Sequence, residues 1–313
     1  MARYIVQRIA FAILSVWAVC TLTFFIALLA PGDPAELAAG EHATPQMLSQ
    51  VRHEYGLDLP PLVRYGHYLV GVLHGDLGKS FVTHEPVTDF LKRALPNTAL
   101  LALSAIVLAV VVGIAVGLAA ASRPNSMLDR ALMACVLFGV TLPTFVLAPV
   151  LVILFALKFQ IFPVAGWGGF NYLVLPSIVL AARPAAMIAR MTRASTIEVQ
   201  RQDYIRTARA KGLSPVAIVL HHTLKNAFLP ILTTIGVSFG YLLSGSFVVE
   251  TAFTIPGVGY QSIESLATRD YSVIQGTTLV LAVSFVTVNL ITDLLYATLD
   301  PRIKIVSLDK AGA

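Results

Sequence analysis

The feature that most constrains this chain is an apolar run over residues 97–121, which contains no charged side chain. A run of more than about 18 apolar residues is long enough to cross a bilayer as an α-helix. Five further runs have the same character: residues 9–30, 131–157, 172–190, 227–249 and 274–298. Only 12% of all residues are charged, against about 25% in soluble domains. The sequence therefore predicts an all-α membrane protein with about six transmembrane helices.

The first apolar run resembles a signal peptide, because Arg3 and Arg8 precede it. The run over residues 9–30 is, however, longer than the roughly 7–15 apolar residues of a signal sequence. Pro31, which follows directly, is also unfavourable for cleavage. We therefore interpret this segment as an uncleaved first span.

Prolines inside the apolar runs predict irregular helices. The third run is predicted as one span over residues 131–157, in which Pro143 and Pro149 introduce kinks. The fourth run is short, and Pro176 and Pro184 predict that its helix is broken.

Lysine and arginine residues predict the orientation of the spans. If the N-terminus is cytoplasmic, fourteen of the 22 Lys and Arg residues fall on the cytoplasmic side and seven on the outer side. The fourteen are Arg3, Arg8, Arg123, Arg130, Arg190, Arg193, Arg201, Arg206, Arg209, Lys211, Lys225, Arg302, Lys304 and Lys310. Because positive loops stay inside, both termini are predicted to be cytoplasmic. The net charge of +5 follows from this topology, so no nucleic-acid partner is predicted.

Two polar segments interrupt the apolar runs of what we predict to be a single transmembrane domain, residues 1–313. Residues 31–95 form an extracytoplasmic segment long enough for short surface helices, and residues 97–298 form a five-span core. The core contains a basic cytoplasmic segment, residues 191–226. Within it, Gly212 suits a helix end, and Ser214 with Pro215 suits a helix start. This spacing predicts a helix, a tight turn and a second helix.

No catalytic or metal-binding pattern emerges from the sequence. The segment Gly78-Lys79-Ser80 resembles the end of a phosphate-binding loop, but Leu73 occupies the position of the required first glycine. His221 and His222 are adjacent and point to different helix faces. Gly257-Val258-Gly259 is interpreted as a turn after the fifth span, and Cys20 and Cys135 as packing residues. The chain is therefore predicted to be no enzyme and to carry no cofactor or metal.

Ionisable residues inside the apolar runs are few. Arg183 lies in the fourth run, Asp293 near the end of the sixth, and Glu250 at the outer end of the fifth. A proton relay needs several such groups, so a self-contained secondary transporter is disfavoured. Glycines four residues apart, Gly113 with Gly117 and Gly236 with Gly240, permit close helix contact within the chain or with a second subunit.

The basic segment carries the most specific pattern. The sequence from Asp203 to Leu213 reads DYIRTARAKGL and resembles the EAA loop of ABC importer permeases. Arg206, Thr207 and Ala208 occupy the Glu-Ala-Ala positions of that loop, and Gly212 occupies its glycine. This stretch is similar to the corresponding sequence of the dipeptide and oligopeptide permeases in particular.

Further stretches along nearly the whole chain agree with that subfamily in order and place. They are Pro31-Gly32-Asp33-Pro34, Tyr55-Gly56-Leu57-Asp58, Gly75-Asp76-Leu77-Gly78-Lys79-Ser80, Arg190-Met191-Thr192-Arg193, Glu250-Thr251-Ala252-Phe253, Pro256-Gly257-Val258-Gly259, Arg269-Asp270-Tyr271 and Asp300-Pro301-Arg302-Ile303. The chain is most similar to the first of the two permeases in such a system, which has a long outer segment after its first span.

The resemblance implies a type I ABC importer permease fold in a bacterial cytoplasmic (inner) membrane. It implies a second homologous permease subunit, two cytoplasmic ATPase subunits that hold ATP and Mg, and an extracytoplasmic substrate-binding protein that delivers peptides. The ATPase-coupling residues carried over are Asp203, Arg206, Thr207, Ala208, Arg209, Lys211 and Gly212. Gly212 is expected to form the turn, Ala208 to allow close approach, and the cations to make polar contacts in an ATPase groove.

Alternatives to peptide import remain open at this point. The same machinery also serves glutathione, nickel chelates, haem and oligosaccharides, and the binding protein largely sets the choice. A channel or secondary transporter that works without ATPases is a further alternative, as is a membrane enzyme. Few midplane charges and the 203–212 loop argue against the former. The lack of a nucleophile–base or metal constellation argues against the latter.

Overall fold

A computed structural model describes residues 2–40 and 42–299, which form helices and short connections without a β-strand. The motif that begins at Asp300, together with Lys304 and Lys310, lies outside the described residues. The helices are α1 (Ala2–Leu29), α2 (Pro34–Ala39), α3 (Pro45–Glu54), α4 (Pro61–His74), α5 (Val87–Ser122), α6 (Met127–Thr141), α7 (Thr144–Leu151), α8 (Phe170–Gln200), α9 (Asp203–Ala210), α10 (Pro215–Ala217), α11 (Leu224–Ala252), α12 (Val258–Thr268) and α13 (Tyr271–Leu299). Two π-helical stretches, Val152–Lys158 and Ile218–Thr223, continue α7 and α10.

The predicted number of spans is confirmed. Five helical segments are long and apolar enough to cross a membrane, and a bent helix pair makes a sixth. The predicted surface helices of the outer segment are present as α2, α3 and α4. Helix α5 already begins at Val87, within the predicted outer segment, and contains Pro96.

The third span differs from the single helix predicted over residues 131–157. It consists of α6 and of α7 with its π-helical continuation, and the two parts are bent by 105°. Leu142, between them, has an extended backbone, with φ −77° and ψ 119°. The residue before a proline is driven out of the helical conformation, so Pro143 breaks this span instead of kinking it.

The fourth span was predicted to be short and broken, and that prediction is wrong. Helix α8 runs without interruption through Pro176 and Pro184, and it ends at Gln200, ten residues beyond the predicted limit. Both prolines are buried. A membrane helix tolerates proline where neighbouring helices compensate for the lost hydrogen bond, and α5 and α11 pack along α8 here.

The core of the bundle lies between α5, α8 and α11. Gly113 and Gly117 bring α5 against α8 so closely that an added Cβ would lie 2.8 Å from Ile188 and 2.6 Å from Thr192. Gly236 and Gly240 meet α13 in the same way. Both glycine pairs therefore serve packing within the chain.

Helix α1 lies at the periphery, packed on α13 and α4. Of its most apolar stretch of 18 residues, only 11% is buried within the chain, whereas 56% of the corresponding stretch of α8 is buried. Arg8 of α1 forms an ion pair with Asp293 of α13 at 3.0 Å. The ion pair supplies the partner for Asp293 that the sequence does not reveal.

The two ends of the bundle differ in construction. We call the end that carries α9 the α9 end, and the end that carries α2 to α4 and α12 the α12 end. At the α12 end Glu250 is fully buried and accepts hydrogen bonds from the Thr98 hydroxyl at 2.8 Å and the Tyr260 backbone N–H at 3.0 Å. Asp270, also buried, accepts hydrogen bonds from the Ser80 hydroxyl and the Phe81 backbone N–H.

Candidate coupling site at the α9 end

The predicted helix–turn–helix is present, and its turn forms as the sequence indicates. Helix α9 ends at Ala210, and Gly212 follows with φ +78°. The Leu213 backbone N–H donates to the Ala208 carbonyl at 3.3 Å, and the Gly212 N–H donates to the Arg209 carbonyl at 3.0 Å. This pair of bonds is the Schellman motif, in which glycine is favoured at the left-handed position.

The second helix of the motif starts where predicted but does not stay at the surface. The Ser214 hydroxyl accepts a hydrogen bond from the Ala217 N–H at 3.3 Å, and Pro215 occupies the first turn. From Pro215 the chain remains helical through the π-helical stretch Ile218–Thr223 and directly into α11. The second helix of the motif is therefore continuous with the fifth span, and only the turn over residues 211–214 separates it from α9.

Helix α9 is fixed to the bundle by a small apolar cluster. Ile205 is fully buried and Ala208 is 5% exposed, and both pack against Ile218 with Val199 at the edge. The residues lie three apart and so share one helix face. Ala208 thus allows close approach to the chain's own next helix. Its predicted approach to an ATPase stays a prediction.

The remaining face of α9 is exposed and mostly cationic. Of the predicted coupling residues, Asp203, Arg206, Thr207, Arg209, Lys211 and Gly212 are exposed. Asp203 and Arg206 form a 3.4 Å ion pair, with side chains 94% and 77% exposed. Tyr204 and Leu213 add exposed apolar surface. The sequence pattern did not single these two out, although an exposed aromatic residue beside arginines is typical of interfaces.

A paired arginine supports the site from within the bundle. Arg193 of α8 donates from Nε and Nη2 to the two oxygens of Asp129 at 2.6 and 2.7 Å. The Asp129 side chain is 3% exposed and also accepts from the Asn125 N–H at 2.9 Å. The bidentate pair joins the start of α6 to α8 two turns before α9. Sequence reasoning placed Arg193 in a motif but missed Asp129, which lies 64 residues away.

Other residues singled out from the sequence have structural roles within the chain. Ser80 belongs to the segment that resembles a phosphate-binding loop, and its hydroxyl donates a hydrogen bond to Asp270. Of the predicted turn Gly257-Val258-Gly259, only Gly257 lies outside a helix: it is the N-cap of α12, which begins at Val258. No group of three or more His, Cys, Asp or Glu residues among those described is placed to hold a metal ion.

The described helices have the fold of ABC importer permeases. A methionine ABC transporter (MetNI) solved in inward-facing conformations matches 69% of this chain and 99% of its own, with a TM-score of 0.59 and 21% sequence identity. A solved amino acid ABC transporter matches 67% of this chain and 94% of its own, with a TM-score of 0.52 and 17% identity. At these identities the likeness establishes the fold alone.

The chain belongs to the family of binding-protein-dependent transport system inner membrane components. The sequence pattern of this family matches residues 113–305, and the pattern of the family's N-terminal part matches residues 1–102. The chain is 39% identical over 304 residues to a glutathione transport system permease of Escherichia coli O6:H1, covering 97% of this chain and 99% of the relative. It is also 39% identical over 312 residues to a peptide ABC transporter permease protein of Sinorhizobium fredii, covering 97% and 100%.

Membership of this family makes the chain a multi-pass transport subunit of the inner membrane. A binding-protein-dependent ABC importer works with a substrate-binding protein and with ATPase subunits. The predictions of fold, family and membrane location are therefore confirmed.

Proposed function

We propose that the chain is one of two homologous permeases that together form the translocation path of an ATP-driven importer of small peptides. The observation that carries the proposal is the near-complete alignment, at 39–40% identity, with permeases named for glutathione and peptide transport. Glutathione is itself a peptide, so both names describe one chemical class of substrate. A substrate-binding protein delivers the peptide, and two ATPase subunits supply the energy.

The proposed orientation places the α9 end and both termini in the cytoplasm. The α9 helix and its flanks carry Arg201, Arg206, Arg209 and Lys211, all exposed. The positive-inside rule favours the cytoplasmic side for such a segment. The α12 end then faces the binding protein.

The coupling mechanism follows from the connections of α9. Two residues, 201 and 202, join it to α8, and the Gly212 turn joins it to α10 and α11. We propose that the exposed face of α9 sits in a groove of an ATPase subunit, as short helices do in other complexes. Closure of the ATPases on ATP then displaces α9 and shifts α8 and α11 between inward-open and outward-open arrangements.

ATP hydrolysis belongs to the partner subunits in this proposal. ATP and Mg bind there, and this chain supplies neither a nucleotide site nor a cofactor site. The purified chain is expected to show no ATPase activity, whereas the assembled complex hydrolyses ATP. Activity of the chain alone would contradict the proposed division of work.

The proposed function is tested by uptake of a labelled dipeptide and of labelled glutathione in cells with and without the chain. ATP-dependent uptake of at least one peptide should disappear on deletion. Unchanged uptake of both, with no redundant system present, would overturn the peptide assignment and favour a nickel chelate, haem or an oligosaccharide. Uptake that persists without the ATPases would instead indicate a self-contained transporter.

A matched glycine pair tests the coupling helix. Gly212 has φ +78° and Gly75, at the end of α4, has φ +76°, and neither has an atom within 4 Å of an added Cβ. Gly212→Val and Gly75→Val therefore introduce the same strain, about 1–2 kcal/mol for a left-handed residue, at opposite ends. Uptake should fall about tenfold or more only with Gly212→Val. Equal uptake by both variants would contradict a role of this turn in coupling.

A further inference from the structure

Arg183 and Tyr241 meet deep inside the membrane-spanning part of the bundle. Arg183 lies thirteen residues from Phe170, the start of α8, and Tyr241 lies eleven residues from Ala252, the end of α11. At 1.5 Å per residue both are about 17–20 Å from the α12 end of their helices. A hydrocarbon core is about 30 Å thick, so neither residue belongs to the interface with water.

The two side chains hold each other in a defined arrangement. Arg183 Nη1 donates to the Tyr241 hydroxyl at 2.7 Å, and the guanidinium carbon lies 4.6 Å from the centre of the tyrosine ring. A guanidinium that lies over an aromatic ring and also donates to its hydroxyl is restricted in its orientation. Its Nε and Nη2 donate to no described residue, and no described carboxylate forms an ion pair with Arg183.

The pair is exposed beside apolar side chains of α8 and α11. Arg183 is exposed and Tyr241 is 51% exposed, while the exposed neighbours on the same two helices include Ile178, Val237 and Val248. A cation facing hydrocarbon is costly, and charged side chains in spans face protein or a water-filled cavity. The face around Arg183 therefore cannot be a lipid-facing surface of the assembled transporter.

We propose that Arg183, held by Tyr241, is a binding site for the carboxylate of the transported peptide within the translocation path. The inference rests on the proposed function and names the chemical group that the path recognises. A guanidinium presents paired N–H donors that match a carboxylate, and both glutathione and ordinary peptides carry a free carboxylate. Tyr241 is a positioning residue in this site, because it orients the guanidinium and leaves two donor nitrogens for the ligand.

The carboxylate affinity expected at this site also suits a transport path. Arg183 is open on one side instead of enclosed, and its fixed partner is a neutral hydroxyl. A passing carboxylate gains a charge-assisted hydrogen bond without being trapped in a closed cage. Conduction requires binding that is favourable enough to admit a substrate and weak enough to release it.

The test uses the whole transporter reconstituted in vesicles with its ATPases and binding protein. ATP-dependent uptake is measured for trialanine and for trialanine amide, which lacks the C-terminal charge. The readout is the ratio of kcat/KM for the acid to that for the amide, compared between wild-type and variant complexes with the same binding protein. Selectivity of the binding protein then cancels.

Three variants isolate the site. Arg183→Gln should reduce the acid-to-amide ratio by about tenfold or more, the effect of one charge-assisted hydrogen bond. Arg183→Lys keeps the charge and should retain an intermediate ratio, and Tyr241→Phe should lower the ratio less than Arg183→Gln. Arg123→Gln removes an exposed cation at the end of α5 and should leave the ratio unchanged.

Assembly is measured in parallel by size-exclusion chromatography of each complex. A wild-type ratio retained by Arg183→Gln in an assembled complex would overturn the carboxylate site while leaving the proposed function intact. Loss of the second permease from the Arg183→Gln complex would also overturn it, because the arginine would then be an intersubunit ion-pair partner. Absence of ATP-dependent uptake by the wild-type complex would overturn the proposed function itself.

Discussion

The two ends of the bundle differ in whether the charged side chains of interest are buried or exposed. At the α12 end the carboxylates of Glu250 and Asp270 are buried, and hydrogen bonds from distant parts of the chain satisfy them. At the α9 end the charges of α9 are exposed, and a cluster of only three buried apolar residues holds the helix. These two carboxylates of the α12 end are thus satisfied within the chain. The α9 end instead presents exposed charges, which suits the contact with an ATPase subunit that we propose.

The largest stability effect is expected where burial is greatest. Glu250→Ala leaves the Thr98 hydroxyl and the Tyr260 N–H buried without an acceptor. Each unsatisfied donor costs about 1–3 kcal/mol, so the free energy of unfolding should fall by about 3 kcal/mol or more, measured by denaturation in detergent. Glu264→Ala, an exposed carboxylate of α12, should change little. Similar losses for both would show that the buried network does not stabilise this end.

A smaller loss is expected from Asp129, a strongly buried carboxylate at the α9 end. Asp129→Asn breaks the bidentate pair with Arg193, whose side chain is 27% exposed and so regains some hydration. We expect a loss of about 2 kcal/mol, below the range for fully buried pairs. Asp203→Asn, in the exposed pair with Arg206, serves as the control. If the control lost as much stability, the contrast between supporting and exposed charges would be wrong.

The anchor of α9 should give a local effect instead of a global one. Ile205→Ala removes a fully buried side chain, a change that costs about 2–5 kcal/mol in a large core. Because the cluster around Ile205 is small, the loss should appear mainly as local opening of α9. Hydrogen exchange of α9 amides should accelerate while that of α12 stays constant. Val216→Ala, at a side chain that is 66% exposed, should leave both unchanged. Unaltered exchange in α9 after Ile205→Ala would contradict the anchoring role.

The smallest expected effect is a pH dependence of protein stability that arises from an ion pair at the α12 end. A hydrogen bond from the Arg52 guanidinium lowers the pKa of Asp33, outweighing the effect of partial burial. Because the pKa is lower in the folded state, the pair stabilises the protein above the unfolded value of about 4. That stability is lost as pH falls below this value. Asp33→Asn should reduce the acid-side slope of thermal stability against pH, with a change near measurement error at pH 7.

Asp89→Asn, in an exposed pair with Lys92 at 3.2 Å, is the reference for the pH experiment. The slope below pH 4 should persist in this variant. An identical slope in wild type and in Asp33→Asn would show that the Asp33–Arg52 pair does not contribute.

Local signals in the sequence were sufficient for the coupling loop. Gly212, Ser214 and Pro215 each act on the adjacent backbone, and the turn and helix start formed where they predict. The same local reasoning failed for prolines. Pro143 broke a span by driving Leu142 out of the helical conformation, whereas Pro184 is accommodated within α8 by the helices packed along it.

Long-range partners were beyond the reach of sequence reasoning. Arg193 with Asp129, Arg8 with Asp293, and Arg183 with Tyr241 are each joined only by the packing of separate helices. Composition and charge asymmetry therefore predicted the class of fold and the location of the exposed loop. They contained no information on which buried charge meets which partner.

The central claim is that the exposed face of α9, and not the α12 end, contacts the ATPase subunits. The most direct measurement is site-specific photo-cross-linking of the assembled transporter, with a benzophenone amino acid at Thr207 of α9 or at Thr268 of α12, both exposed. We predict a cross-link to an ATPase subunit from position 207 and none from position 268. A cross-link to an ATPase subunit from position 268, or none from position 207 in an active complex, would contradict the account.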